Sequence, residues 1–162
     1  MEEMRRKKRQ VTDLTLIKQF ISEMTVVRLA LYGEGYPYLV PVNFGHTWDE
    51  ETLVLYFHGA KEGKKMRLLA ANPCVAVELD GHHQLIPGKE AASFSYGYQS
   101  LIGQGIAEVV TDLAEKRYGL DLLMAQVAPE YDYPPISEKR LQHTAVVKVR
   151  VEDYSMKQNL PL

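Results

Sequence analysis

The chain has a single cysteine, Cys74, in 162 residues. That excludes an internal disulfide and a cysteine-based zinc site. Cys74 lies in "NPCVAVEL", an apolar strand pattern, and reads as a buried, inert thiol. No apolar run is long enough to cross a membrane, and no apolar leader segment follows the basic start. A cytoplasmic protein without a membrane partner is therefore expected. A large excess of charge of one sign is also lacking. The formal net charge of -2 lacks the basic excess of a dedicated nucleic-acid binder. The one basic cluster, Arg5 to Arg9 ("RRKKR"), suggests that residues 1–10 form a mobile or loosely packed arm, with an interaction arm as the alternative. Met4 is as plausible a start as Met1.

Several chemical signatures are missing too. Nothing reads G-x-S-x-G, so there is no nucleophile elbow. The five histidines include no H-x-x-x-H pair. His82 and His83 adjoin Asp80, but adjacent side chains diverge, so a solvated loop is the simpler reading. "GQGIAE" at Gly103 to Glu108 lacks the third glycine and the helix of a dinucleotide fingerprint, and reads as strand. No internal repeat, low-complexity tract or linker is visible.

What remains is ordinary globular composition, 46% hydrophobic and 25% charged, at a length suited to one domain over residues 1–162. Leu14, Ile17, Phe20 and Ile21 share a helical face behind an N-cap at Thr12 or Asp13. β-type segments follow at 26–32, 38–44, 53–58, 75–79, 93–110 and 145–151. Pro41 inside the second of these marks an edge, a bulge or an interrupted pairing. Helices are expected at 62–71, ended by Asn72-Pro73, and at 114–127. Residues 81–91 and 128–137 read as loops. Together they suggest an α+β, mainly β domain built as a small antiparallel barrel.

The stretch "YFHGAKEGKKM", Tyr56 to Met66, concentrates the functional signal. Gly59 and Gly63 permit close backbone approach, and Lys64 and Lys65 fall in the first turn of a helix. Cations there oppose the helix dipole unless an anion is bound. An anion site and a solvated charged turn both fit. A Walker A loop does not, because only three residues separate Gly59 from Gly63 and Lys65 replaces the hydroxyl. His58 closes the strand, either as a structural histidine or as part of a site.

The segments "GEGYPYLVPVNF", "LYFHGAKEGKKMRLLAANPCVAVEL", "YQSLIGQGIAEV" and "AVVKVRVEDYSMK", in this order, resemble the FMN-binding split-barrel proteins related to pyridoxamine 5'-phosphate oxidase. The nearest branch is that of the 5-nitroimidazole resistance proteins. The resemblance implies a six-stranded antiparallel split barrel with flanking helices. It also implies a homodimer with flavin at the subunit interface. Val40, Pro41, Val42 and Asn43 would lie along the flavin ring through their backbone. Phe57, His58 and Gly59 would border the ring and ribityl chain, and Lys64 and Lys65 would hold the phosphate. Gln99 and Ser100 would serve the phosphate or ribityl end from either chain. The oxidases carry Arg-Lys at the paired basic positions, so Lys64 loses the bidentate fork. The tail lacks the oxidase Arg-x-His ending, which argues against vitamin B6 oxidation. The implied activity is an FMN-dependent oxidoreductase reducing a nitroimidazole or another small electron acceptor, with His58 as the candidate catalytic residue. The alternative is a flavin- or haem-binding module without turnover, and FAD or haem are the alternative cofactors. No metal site is expected.

Overall fold

A computed structural model describes residues 4–160 of the chain. Residues 1–3, which hold the first start site, Met1, and the beginning of the expected arm, and residues 161–162 lie outside the described residues. The chain forms β1 (Gln10–Val11), α1 (Leu14–Glu23), β2 (Val26–Leu31), β3 (Tyr38–Asn43), β4 (Gly45–Asp49) and β5 (Thr52–Gly59). It continues through α2 (Lys64–Ala71), β6 (Cys74–Ile86), β7 (Ser95–Val109), α3 (Leu113–Val127), α4 (Glu138–His143) and β8 (Ala145–Asn159).

All strands join one antiparallel sheet in the order β3-β2-β6-β7-β8-β5-β4, with β1 added to β8. The two ends of this path, β3 and β4, are consecutive in the chain and separated only by Phe44. A sheet whose end strands are joined by one residue must curl onto itself, and β3 does approach β5 across the seam. Phe44 is fully buried at that corner. The result is a mainly β split barrel with flanking helices.

The barrel interior holds Phe20 and Ile21 of α1, Leu29, Phe57, Leu79, Leu101 and Val149, all essentially inaccessible. A second apolar layer lies outside β5 and β8, where Val54, Tyr56 and Val146 meet Leu120 of α3 and Leu141 of α4. Tyr56 donates to Glu115 of α3 at 3.1 Å, and burial first, then this carboxylate, pushes the phenol up to about 12. Asp13 caps α1, accepting from the Thr15 amide at 2.8 Å.

Pro41 is tolerated because β3 is an edge strand paired only with β2. The sheet has more strands than the six legible in the sequence. β4 emerges where the pattern suggested only a turn, and β6 runs to Ile86 through residues read as a loop. That extension, "GHHQLI", is held by backbone pairing of residues 84–86 to Gly97, Tyr96 and Ser95, which side-chain alternation does not reveal. The register shift between Gly81 and Gln84 contains His82 at φ 56°. Cys74 is exposed rather than buried. As the first residue of β6 it faces outward, and Val75 takes the core position. The basic run is docked from Lys7 onward: Lys7–Arg9 form a 3-10 turn, and Arg9 reaches the Tyr98 hydroxyl at 3.4 Å.

Candidate cofactor site

Helix α2 begins at Gly63, whose φ of 125° lies in the region that side chains disfavour. No side chain caps this end, so the first amides of α2 open outward. Lys64 and Lys65 then diverge to opposite sides of the seam. The Lys64 ammonium lies 4.8 Å from the Tyr38 ring centroid on β3, and that of Lys65 lies 5.0 Å from the Phe57 ring on β5. Gly59 makes room for the second. A Cβ there would stand 3.3 Å from the Lys65 nitrogen. Among the described residues neither ammonium has a carboxylate partner. Arg67, one turn on, is already paired with Glu34. Burial holds the Lys65 ammonium below the usual lysine range. Two cations without counter-ions among the described residues, one of them partly desolvated, together with uncapped amides suit an anion such as a phosphate.

The other implied residues distribute unevenly. Val40 and Val42 face the core and are half-buried, whereas Pro41 and Asn43 face out. Asn43 is engaged with the Thr25 carbonyl at 2.9 Å. The free edge of β3 leaves its outer backbone groups available, as contact through backbone would require. Phe57 is buried below Lys65. His58 points to the opposite face of β5 and is exposed toward α3 and α4.

Gln99 and Ser100 stand apart from the lysines. Tyr38 aligns through Leu31 and Val75 with Gly105, five residues from Ser100. Phe57 aligns through Val147 with Val109, nine residues from Ser100. At ~3.3 Å per residue these are separations of about 17 and 30 Å along β7. Gln99 is instead hydrogen-bonded to Gln158 at 2.9 Å. One chain therefore gathers the lysines, Tyr38, Phe57 and Gly59, and does not bring Gln99 or Ser100 to them.

His82 and His83 pair with Glu23 and Asp80, each at 2.8 Å, and among the described residues no cluster suited to a metal forms. Tyr38, which carries Lys64, was legible only as a strand start, since cation–π partners across a seam leave no trace in local sequence.

A mainly β split barrel with flanking helices defines the structural class. The chain matches the pyridoxamine 5'-phosphate oxidase family over residues 14–158 and belongs to that family. Three solved structures are similar to it. A candidate 5-nitroimidazole antibiotic resistance protein from Bacteroides thetaiotaomicron is 28% identical, with a TM-score of 0.79 over 92% of this chain and 86% of that one. An FAD- and haem-binding protein from Mycobacterium smegmatis shares 23% identity and a TM-score of 0.82, over 95% of this chain and 76% of the other. A flavocytochrome from Azotobacter vinelandii shares 20% identity and a TM-score of 0.82, covering 99% and 73%. The last two likenesses speak to fold alone. No curated protein matches the chain.

Proposed function

We propose that the protein is an FMN-binding oxidoreductase acting as a cytoplasmic homodimer. The observation that carries this reading is the pair of ammonium groups flanking the seam without counter-ions among the described residues. Lys64 and Lys65 would hold the phosphate, with the α2 amides beside them. The free edge of β3 at Val40 to Asn43 would face the ring, and Phe57 and Gly59 would border the ribityl chain. Gln99 and Ser100, too distant within one chain, would come from the second copy. When bound, the flavin supplies two-electron redox chemistry, and the protein supplies binding and orientation. Nitroimidazoles are the most specific acceptor class, supported by the resistance-protein likeness.

Purified protein titrated with FMN tests the cofactor assignment. Lys64→Ala with Lys65→Ala should lower affinity about a hundredfold or more, since each charged hydrogen-bonding group contributes about 1.5–3 kcal/mol. The circular dichroism spectrum should not change. FMN binding that survives both substitutions would remove the proposal. Reduced, FMN-loaded protein that leaves nitroimidazoles untouched would remove the acceptor assignment only.

A second reading, a flavin- or haem-binding module without turnover, is favoured by the imidazole of His58, exposed and without a partner among the described residues. It is also favoured by the two haem-containing proteins of this fold. A Soret band in the purified protein, in place of flavin absorption, would select it.

A further inference from the structure

The basic run at Arg5 to Arg9 plays no part in the site described so far, and Arg9 precedes the residues matched to the family, 14–158. Arg9 is nonetheless the best-fixed cation of that run. Arg5, Arg6, Lys7 and Lys8 are exposed, whereas Arg9 is half-buried. Its guanidinium donates to the Tyr98 hydroxyl at 3.4 Å and lies 6.0 Å from the Tyr98 ring centroid. Backbone pairing holds the same end of the chain. Gln10 of β1 stands opposite Lys157 of β8, and Lys157 stands opposite Ser100 of β7. Two strand spacings of ~4.8 Å put Gln10 about 10 Å from Ser100. Arg9 is thus fixed beside the segment Tyr98-Gln99-Ser100.

The charge around this segment is positive and unmatched. Neither Arg9 nor Lys157 has a carboxylate partner among the described residues. Directly opposed residues on neighbouring strands share a face, so Lys157 flanks Ser100 from β8 and Asp80 flanks it from β6. Asp80 is already engaged by Arg28 and His83. Arg9 cannot serve the lysines of its own chain. Tyr98 lies two residues farther along β7 from them than Ser100, which is itself about 17 Å from the level of Tyr38. A guanidinium held beside an amide and a hydroxyl suits phosphate oxygens, which its fork of donors matches in pairs.

We propose that Arg9 is a third cation of the FMN phosphate site, delivered by the second copy together with Gln99 and Ser100. The inference rests on the two-chain cofactor site proposed above. In a two-fold dimer, whatever is fixed beside Gln99 in one chain arrives with it at the lysines of the other. Lys64 and Lys65 supply point charges from one chain, and Arg9 supplies from its partner the bidentate fork that Lys64 lacks. A phosphate monoester carries nearly two negative charges at neutral pH, enough to engage all three cations.

FMN and riboflavin share the ring and ribityl chain and differ in the phosphate, so the ratio of their affinities reads the phosphate contacts. In the full chain, Arg9→Gln should lower the FMN-to-riboflavin ratio about tenfold or more, the loss of one charged hydrogen-bonding group. Tyr98→Phe, which releases Arg9 without removing it, should lower the ratio by a smaller factor. Thermal unfolding should be unchanged, since Arg9 and Tyr98 are only half-buried. Arg9→Gln chains mixed with Lys64→Ala, Lys65→Ala chains should regain native FMN affinity at about a quarter of the sites, given random pairing. Absence of that recovery would place Arg9 within its own chain's site and overturn the inference. An Arg9→Gln chain that keeps the native ratio, or loses riboflavin as much as FMN, would also overturn it. With FMN still lost in the lysine variant, the cofactor reading would then stand. Should Arg9→Gln fail to fold, the Tyr98→Phe ratio decides, and an unchanged value overturns the inference. FMN binding absent from the native chain, or untouched by the lysine substitutions, removes the cofactor reading and this inference with it.

Discussion

His46 on β4 lies 2.8 Å from the Gln126 side-chain oxygen. The Gln126 amide group in turn donates to the carbonyls of Ile21 and Met24 at the end of α1. Its oxygen must therefore accept, and His46 donates through Nδ1. Burial holds the His46 imidazolium below the ordinary histidine range, against the opposing effect of the Gln126 bond. The folded state then takes up a proton less readily than the unfolded chain, whose histidines titrate near ~6.5. Stability from neutral His46 is complete above that pH and declines as pH falls below it. Calorimetry between pH 8 and 5 should show a falling Tm, and His46→Gln should flatten the slope. Lys65 gives a second pH signature. Its ammonium, depressed by burial, loses its proton before an ordinary lysine does. FMN affinity should therefore weaken on the alkaline side at a lower pH than for an exposed lysine, and Lys65→Arg should move that loss upward. At this scale the sequence revealed the charges and not their surroundings. The lysine pair stood out because cations at a helix start oppose the dipole. Tyr38 stood out in no way, because its role arises only when distant segments meet.

Among the elements, α3 has the narrowest tolerance. It crosses β4 so closely that a Cβ on Gly45 would lie 2.2 Å from the Leu123 amide nitrogen, a backbone atom that cannot turn aside. Gly45→Ala should therefore destabilise by about 1–3 kcal/mol or more, as overpacking against backbone does. Chemical denaturation would measure it. A loss below about 0.5 kcal/mol would show that α3 can lift from the strand. The same crossing explains what could be read from sequence here and what could not. Helices α1, α2 and α3 were visible through their apolar spacing and stops, within a few residues. Helix α4 was not, because six residues hold too little periodicity and its stability derives from Leu141 packing and from Lys116, whose ammonium donates to the Thr144 carbonyl. The tail of β6 failed for the opposite reason: its polar side chains mark it as loop while its backbone pairs as strand.

For the whole molecule, the separation of Gln99 and Ser100 from the lysines makes a sharp test of the two-chain arrangement. A Lys64→Ala, Lys65→Ala chain mixed with a Gln99→Ala, Ser100→Ala chain should form heterodimers in which one of the two sites is intact. FMN binding absent from either variant alone should return to about a quarter of the sites, given random pairing of interchangeable copies. A site assembled within one chain would show no recovery. The barrel class was readable from strand spacing and ordered segments. Its closure was not, because register and shear depend on pairings between strands far apart in the chain, such as Phe57 with Val147.

The Phe44 corner bears on how such a molecule finds its shape. Closing a chain loop costs entropy that grows with its length, and here the loop joining the two seam strands is a single residue. Zipping the seam is thus nearly free once β2–β3 and β4–β5 exist as hairpins. The slow search falls to β5 meeting β8, whose partners Phe57 and Val147 stand 90 residues apart (147 minus 57). The cleft that the lysines guard would form early as a local corner and wait for the far end of the chain to brace it.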